Sequence, residues 1–244
     1  MPAAYDTIGI NYANLRQPDP RIGAAIGAAL GDAATVLNVG AGTGSYEPTH
    51  RTVTALEPSI AMIRQRPAGA APVIRGFAED LPFADKAFDA VMAVLTVHHW
   101  SDQPKGLAEL RRVSRGPTVI LTFDPTHRGF WLTDYLPELI TIDAAQMPPM
   151  SAYAAALGPV RITPVPIPHD CADGFLAAYW RRPTAYLDPR IRAAISCFWA
   201  IESLEAKLER LARDLETGAW GEKYGHLLEL ESCDLGYRLV VGRG

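Results

Sequence analysis

The chain has 244 residues, 48% hydrophobic and 20% charged, the proportions of an ordinary globular protein. A net charge of −4 and a pI near 5.9 leave no electrostatic case for nucleic-acid binding. Cys171, Cys197 and Cys233 are scattered and odd in number, which argues for a reducing, cytoplasmic setting and against a disulfide framework or structural zinc. Neither a secretory signal nor an apolar run near the ~20 residues of a membrane span is visible.

Residues 1–19 are polar and aromatic and read as an N-terminal lid, in which Tyr12 and Arg16 are candidates to close over a substrate. The plainer reading is that its tyrosines dock it onto the domain. Asp19-Pro20 then opens a helix with Ile22, Ile26 and Leu30 spaced by four and Gly31 as its stop. Val36, Leu37 and Val39 form an apolar strand that ends in three alternate glycines, Gly40, Gly42 and Gly44. Glycines so placed let a ligand lie on the main-chain N–H groups, although a plain structural turn uses them too. A short helix is expected around 48–51.

Strand two, Thr52 to Leu56, ends at Glu57, where a carboxylate beside the glycine turn can accept both hydroxyls of a ribose. A helix follows from Pro58 or Ser59, with Ile60, Ile63 and Met62 inward. Strand three, Pro72 to Gly76, leads into Ala78-Glu79-Asp80, a small residue and two acids suited to an adenine ring. Strand four, Phe88 to Leu95, is almost continuously apolar and runs into His98-His99. Adjacent histidines point apart in extended chain, so no metal site is expected there. Helix 102–114 turns Leu107, Leu110 and Val113 inward and Arg111 and Arg112 outward. Strand five, Thr118 to Phe123, ends at Asp124, His127 and Arg128.

After it, Phe130, Trp131, Tyr135 and Leu136 either wall a substrate cavity or pack a core. The prolines of 147–168 argue against a regular helix. Val160 to Thr163 reads as strand six, with His169 beyond its end. A short helix, Asp173 to Arg182, carries Tyr179 and Arg181. Apolar residues from Ile191 to Leu215 recur at three and four and predict one amphipathic helix, 189–217, about 40 Å long. It either packs across the domain or meets a protein partner. Gly236 to Gly242 is the last strand. Alternating strands and helices with polar residues at the strand ends give an open α/β sheet, whose ligands bind at the carboxyl ends.

The segments Val36 to Gly44, Ala55 to Ser59, Gly76 to Phe83, Phe88 to Val91 and His98 to Asp102 resemble, in order and spacing, the class I S-adenosylmethionine-dependent methyltransferases, in particular the ubiquinone/menaquinone group. The resemblance covers about residues 33–125. It implies a Rossmann-like seven-stranded α/β sheet with helices on both faces and the last strand antiparallel between strands five and six. The chain would be a single domain: core 20–168 and 236–244, lid 1–19, and a helical cap over 169–235. By the same resemblance Gly40, Gly42 and Gly44, with Asn38, cradle the methionine part of S-adenosylmethionine. Glu57 and Pro58 lie at the ribose, Ala78 and Glu79 at the adenine, and Leu95 beside the sulfonium. Ser114-Arg115-Gly116-Pro117 departs from the family's usual Pro-Gly-Gly turn, which bears on that turn and not on the cofactor site.

The expected activity is methyl transfer to a small molecule of secondary or cofactor metabolism, leaving S-adenosylhomocysteine, without a metal. Candidate bases are His127, Asp124, His169 and His98. Tyr12, Arg16, Arg128, Trp131, Tyr179 and Arg181 are candidates for binding the acceptor. A monomer or a dimer is expected. Two other readings keep the fold: a repurposed, non-methylating enzyme of cyclisation, elimination or hydrolysis, and a partner subunit using helix 189–217.

Overall fold

The computed structural model describes residues 16–243, so Tyr12 and most of the expected lid lie outside the described residues. Asp19 caps α1 (Pro20–Ala29) by accepting the Arg21 N–H at 3.0 Å, and Ile22, Ile26 and Leu30 are buried. The strands, in chain order, are β1 (Thr35–Val39), β2 (Thr52–Glu57), β3 (Val73–Arg75), β4 (Ala90–Val94), β5 (Thr118–Phe123), β6 (Val160–Pro164), β7 (Ile167–Pro168), β8 (Ser232–Cys233) and β9 (Tyr237–Gly242). β7 and β8 form a separate pair. The others make one sheet in the order β3-β2-β1-β4-β5-β9-β6.

The first five strands pair in parallel, and β9 runs antiparallel to both β5 and β6. β1, β4 and β5 are buried along nearly their whole length, which is why they read as continuous apolar runs. The strand order reverses between β1 and β4. The glycine turn after β1 and the segment after β4 therefore flank one crevice at the carboxyl edge.

α2 (Ile60–Arg64) is capped by the Ser59 hydroxyl and buries Met62, while Ile60 and Ile63 are only half-buried. α3 (Gln103–Val113) buries Leu107, Leu110 and Val113 with α5 (Met150–Leu157) in the core on one face of the sheet. The other face carries α1 and the aromatic residues of the cap. Arg112 does not point outward as expected. It is half-buried and donates to the carbonyls of Leu81 and Phe83 and to Glu109 and Asp85, which ties down the turn before β4.

Several expected helices are corrected. Residues 48–51 form a turn. α5 forms in spite of the surrounding prolines, because Pro149 sits at its N-cap and its eight residues contain none. Of 173–182 only Leu176–Tyr179 is helical, as a single 3-10 turn. A helix that the sequence reading did not place, α4 (Glu138–Gln146), follows the aromatic stretch.

The long helix 189–217 is three pieces: α6 (Pro189–Ala193), a 3-10 turn at Ser196–Ala200, and α7 (Leu204–Thr217). Ile195 and Ile201 are extended and Ser203 is left-handed at φ +53°. Ser196-Cys197-Phe198-Trp199 is a run of weak helix formers, and Phe198 and Ile201 reach the core only because the chain bends. Buried Arg192 spans the break, donating to the Tyr186 carbonyl at 2.9 Å and to Glu205 at 2.6 Å. The apolar stripe is thus broken at Ile195 and again between Ile201 and Ser203. α8 (Ala219–Tyr224) follows Gly218 at φ +86°, and Leu208, Leu211, Trp220 and Tyr224 pack into the cap core.

Candidate active site

The chain leaves β1 through Gly40, Gly42 and Gly44 at φ +67°, +52° and +96°. A Cβ on Gly40 would lie 2.0 Å from Thr96 Oγ1, so the turn sits directly against the segment after β4. At the end of β2 the buried Glu57 accepts the Gly42 N–H at 2.8 Å and the Ser59 N–H at 2.9 Å, one on each carboxylate oxygen.

A nearly buried ion pair braces the turn from below. Arg66 Nη2 lies 2.8 Å from Glu47, and Arg66 Nη1 donates to the Gly42 carbonyl at 3.2 Å. Asn38 donates to the same Glu47 at 3.2 Å. No feature of the glycine motif points to this pair.

A cavity of about 490 Å³ opens beside the turn. Asn38, Gly40, Gly42, Glu57, Pro58, Ala78, Glu79 and Leu95 line it, all of the expected cofactor residues except Gly44. Gly44 faces Glu47 and Arg66, where a Cβ would come within 3.2 Å and 3.3 Å, so it serves the turn's left-handed backbone. Phe77, Met62 and Trp100 also line the cavity and were not expected. Glu79 Oε1 accepts the Ser101 N–H and hydroxyl at 2.7 and 2.8 Å and the Asp102 N–H at 3.2 Å. Burial opposes ionisation of Glu79, but these bonds outweigh it and hold the carboxyl below its usual range. One of its oxygens is therefore committed to the start of α3.

A second cavity, about 110 Å³, lies under the cap, and Leu95 and Arg16 line both. Leu95 stands at φ +51°, held by its N–H bond to Leu121. Arg16 donates through Nε to Asp173 at 2.5 Å, and Asp173 also accepts the Tyr46 hydroxyl at 2.9 Å. Asp173 is fully buried, so this network pins the cap to the glycine turn.

Of the expected catalytic and acceptor residues, His98, His127, Arg16 and Arg128 line the second cavity. Tyr12 lies outside the described residues, and the others line neither cavity. Asp124 turns back to accept the Thr126 N–H and hydroxyl at 2.9 and 2.7 Å. His169 lies 3.4 Å from Glu231 beside the β7–β8 pair. Trp131 is core: 3% exposed, with Nε1 donating to the Trp180 carbonyl at 2.7 Å. Tyr179 is buried under Arg182, 4.8 Å from its ring, and Arg181 donates outside to the Leu230 carbonyl. Each stands near a strand end or the cap in sequence, but its own turn, for Asp124, or contacts within the cap, for the rest, turn the side chain elsewhere.

His98 and His99 do not point apart. The chain after β4 winds into a 3-10 turn, Val97–His99, and their rings lie 3.8 Å apart. Burial, the neighbouring His99 and Arg16 push His98 well below its ordinary pKa. His99 lines the larger cavity, and desolvation together with Arg16 lowers it to about 4. Burial also lowers His127, against the pull of Asp234. Asp143 on α4, absent from the sequence-based candidates, lines the second cavity, and burial raises it to about 7. Its one sequence signal is an acid directly after the apolar run Leu139-Ile140-Thr141-Ile142.

A parallel sheet closed by an antiparallel hairpin strand, a glycine turn at its switch point and an acid at the end of β2 define the class I S-adenosylmethionine-dependent methyltransferase architecture. Comparison with known proteins agrees. Residues 37–120 match the methyltransferase domain family. A solved structure described as a methyltransferase of an antibiotic biosynthesis pathway in Anabaena variabilis is 36% identical, covers 93% of this chain and 98% of its own, and superposes with a TM-score of 0.86. Demethylmenaquinone methyltransferase of Renibacterium salmoninarum is 36% identical over 126 residues, 48% of this chain and 52% of that protein. The chloroplastic 2-methyl-6-phytyl-1,4-hydroquinone methyltransferase 2 of Oryza sativa subsp. japonica is 29% identical over 114 residues, 43% of this chain and 33% of that protein. The chain thus spans between a third and about half of these two curated relatives. It belongs to the class I S-adenosylmethionine-dependent methyltransferases, whose cofactor is S-adenosylmethionine. Among the described residues no helix is long and apolar enough to cross a membrane.

The larger cavity fits that cofactor by its own geometry. The Gly40 position admits no side chain, Glu57 presents a carboxylate to a diol, and Phe77 and Ala78 offer an apolar wall to a flat ring.

Proposed function

We propose that the protein transfers a methyl group from S-adenosylmethionine to a small-molecule acceptor. The observation that carries this reading is the junction of the two cavities at Leu95 and Arg16. One cavity has the glycine turn and ribose carboxylate of a cofactor site, and the other is an apolar chamber under the cap. The bound cofactor supplies an electrophilic methyl on a sulfonium. The protein's part is to hold the acceptor in line with that methyl and to exclude water. Asn38, Gly40, Gly42, Glu57, Pro58, Ala78, Glu79 and Leu95 take the cofactor contacts, and His98, His127, Arg16 and Arg128 surround the acceptor.

The non-methylating alternative has no observation in its favour, and the quinone methyltransferase relatives speak for transfer. The test is calorimetric titration with S-adenosylmethionine and S-adenosylhomocysteine. Micromolar binding is expected, weakened about a hundredfold by Glu57→Ala, because the diol loses its acceptors and the N–H groups of Gly42 and Ser59 lose theirs. A folded protein that binds neither ligand would refute the reading.

A further inference from the structure

The chamber under the cap contains a carboxylate that the described residues leave unpaired. Asp143 lies on α4 and opens into the chamber between Ile140 and Met147. Among the described residues its side chain has no hydrogen bond or ion pair, and the single charge acting on it is Arg128. Arg128 is itself committed to the carbonyls of Pro125 and His127, at 2.9 and 2.7 Å. The other titratable groups facing the chamber are His127 and His98 at the ends of β5 and β4, Arg16 paired with Asp173, Cys197 before α7, and Tyr237 on β9. Asp143 pushes both the Cys197 thiol and the Tyr237 phenol upward, beyond what burial alone does, so both stay protonated. A half-withdrawn carboxylate without a partner is costly in a folded protein, and such groups concentrate at functional sites.

The chamber's histidines are poor proton acceptors by comparison. Burial holds His98 and His127 below their ordinary range, and Arg16 adds to this at His98. A base far weaker than the ambient pH takes a proton with little driving force, whereas Asp143, at about 7, is matched to neutral conditions.

We propose that Asp143 receives the proton of the acceptor, and that the acceptor is a small, largely apolar molecule attacked at a neutral hydroxyl or amine. This rests on the methyl-transfer reading above. In the step, a lone pair of the acceptor's oxygen or nitrogen forms the new bond to the methyl carbon. The sulfur–methyl bond breaks and its electron pair stays on sulfur. The O–H or N–H proton passes to the Asp143 carboxylate, so the sulfonium charge and the carboxylate charge disappear together. A carboxylate acceptor has no proton to surrender at neutral pH and meets like charge in an apolar chamber.

The test uses the full chain saturated with S-adenosylhomocysteine and two probes of one shape, benzyl alcohol and benzoate, each titrated at about pH 8, where Asp143 is mostly ionised. Benzyl alcohol binds at millimolar concentration, and benzoate binds at least about tenfold more weakly. Asp143→Asn removes most of that discrimination and leaves the S-adenosylhomocysteine affinity within about twofold. Equal binding of the two probes, no binding of benzyl alcohol, or discrimination that survives Asp143→Asn overturns the proposal. A wild-type protein that fails to bind S-adenosylhomocysteine overturns the methyl-transfer reading instead. With a turned-over alcohol, phenol or amine, Asp143→Asn lowers kcat about a hundredfold and abolishes the acid limb of the kcat/KM profile, and Asp143→Glu restores part of both. Retention of the acid limb in Asp143→Asn also counts against it.

Discussion

The two cavities meet at Leu95 and Arg16, yet they are built in different ways. The larger is made of backbone: a left-handed glycine turn, the ends of β2 and β4, and short loops after them, with Glu57 as its main charged contact. The smaller is made of side chains brought in by β5, α4, the 3-10 turn after α6, and β9. A site of the first kind depends on a few local conformations and tolerates little change at any of them. A site of the second kind depends on how a cap packs, so its lining can vary while the sheet stays the same.

Four substitutions probe that contrast, in falling order of effect. Gly40→Ala places a Cβ on Thr96 and forces a side chain into φ +67°. Cofactor affinity then falls more than about a thousandfold, about 4 kcal/mol, measured by calorimetry on a protein whose circular dichroism is unchanged. Normal binding would show that the turn is not a backbone-built site. Asp173→Asn leaves Arg16 without its buried counter-charge and loosens the cap from the Tyr46 hydroxyl. Stability drops by about 3 kcal/mol, read from urea denaturation, and an unchanged midpoint would show that the junction does not hold the cap.

The third substitution, Asp143→Asn, is read through pH. The folded protein holds Asp143 at about 7, above its ordinary 3.8. The folded state therefore binds the proton that the unfolded chain releases, and this contribution to stability is full below about pH 4 and lost as pH rises through about 7. The variant should match the wild type in Tm near pH 4 and exceed it at pH 8, the gap opening as pH rises toward 7. Parallel curves would show that the carboxylate is not withdrawn from water. Ser203→Gly is the smallest. It relieves the left-handed conformation at φ +53° that breaks the expected long helix, and it raises stability by about 0.5–1 kcal/mol. A loss would mean that the chain there prefers the helix its periodicity suggests.

The legible part of the chain runs to about residue 125. The glycine spacing, Glu57 at the end of β2, the apolar runs of β4 and β5 and the Asp19 cap each state a local preference that the sheet only collects. β9 was legible too, as a short alternating strand after a glycine. Even there the braces are not legible. Glu47 with Arg66, and Arg112 with the turn at 81–85, join residues far apart in sequence and leave no periodic trace.

Beyond 125 the same kind of reading failed for a physical reason. The apolar spacing of 191–215 suits one long helix and three short pieces equally well. The choice falls to the burial of Phe198 and Ile201 and to the Arg192–Glu205 bridge across the break. Trp131 and Tyr179 occupy places where acceptor contacts are expected and His169 a place where a base is expected, and contacts within the cap withdraw all three. Asp143 became visible only when α4 brought it under the cap. The sequence by itself determined the class, the sheet and the left-handed glycine turn, because those rest on dihedral preferences and strand burial written residue by residue. Tertiary structure alone decided which side chains line the chamber under the cap, because that depends on which distant apolar surfaces bury one another and which polar groups they carry with them.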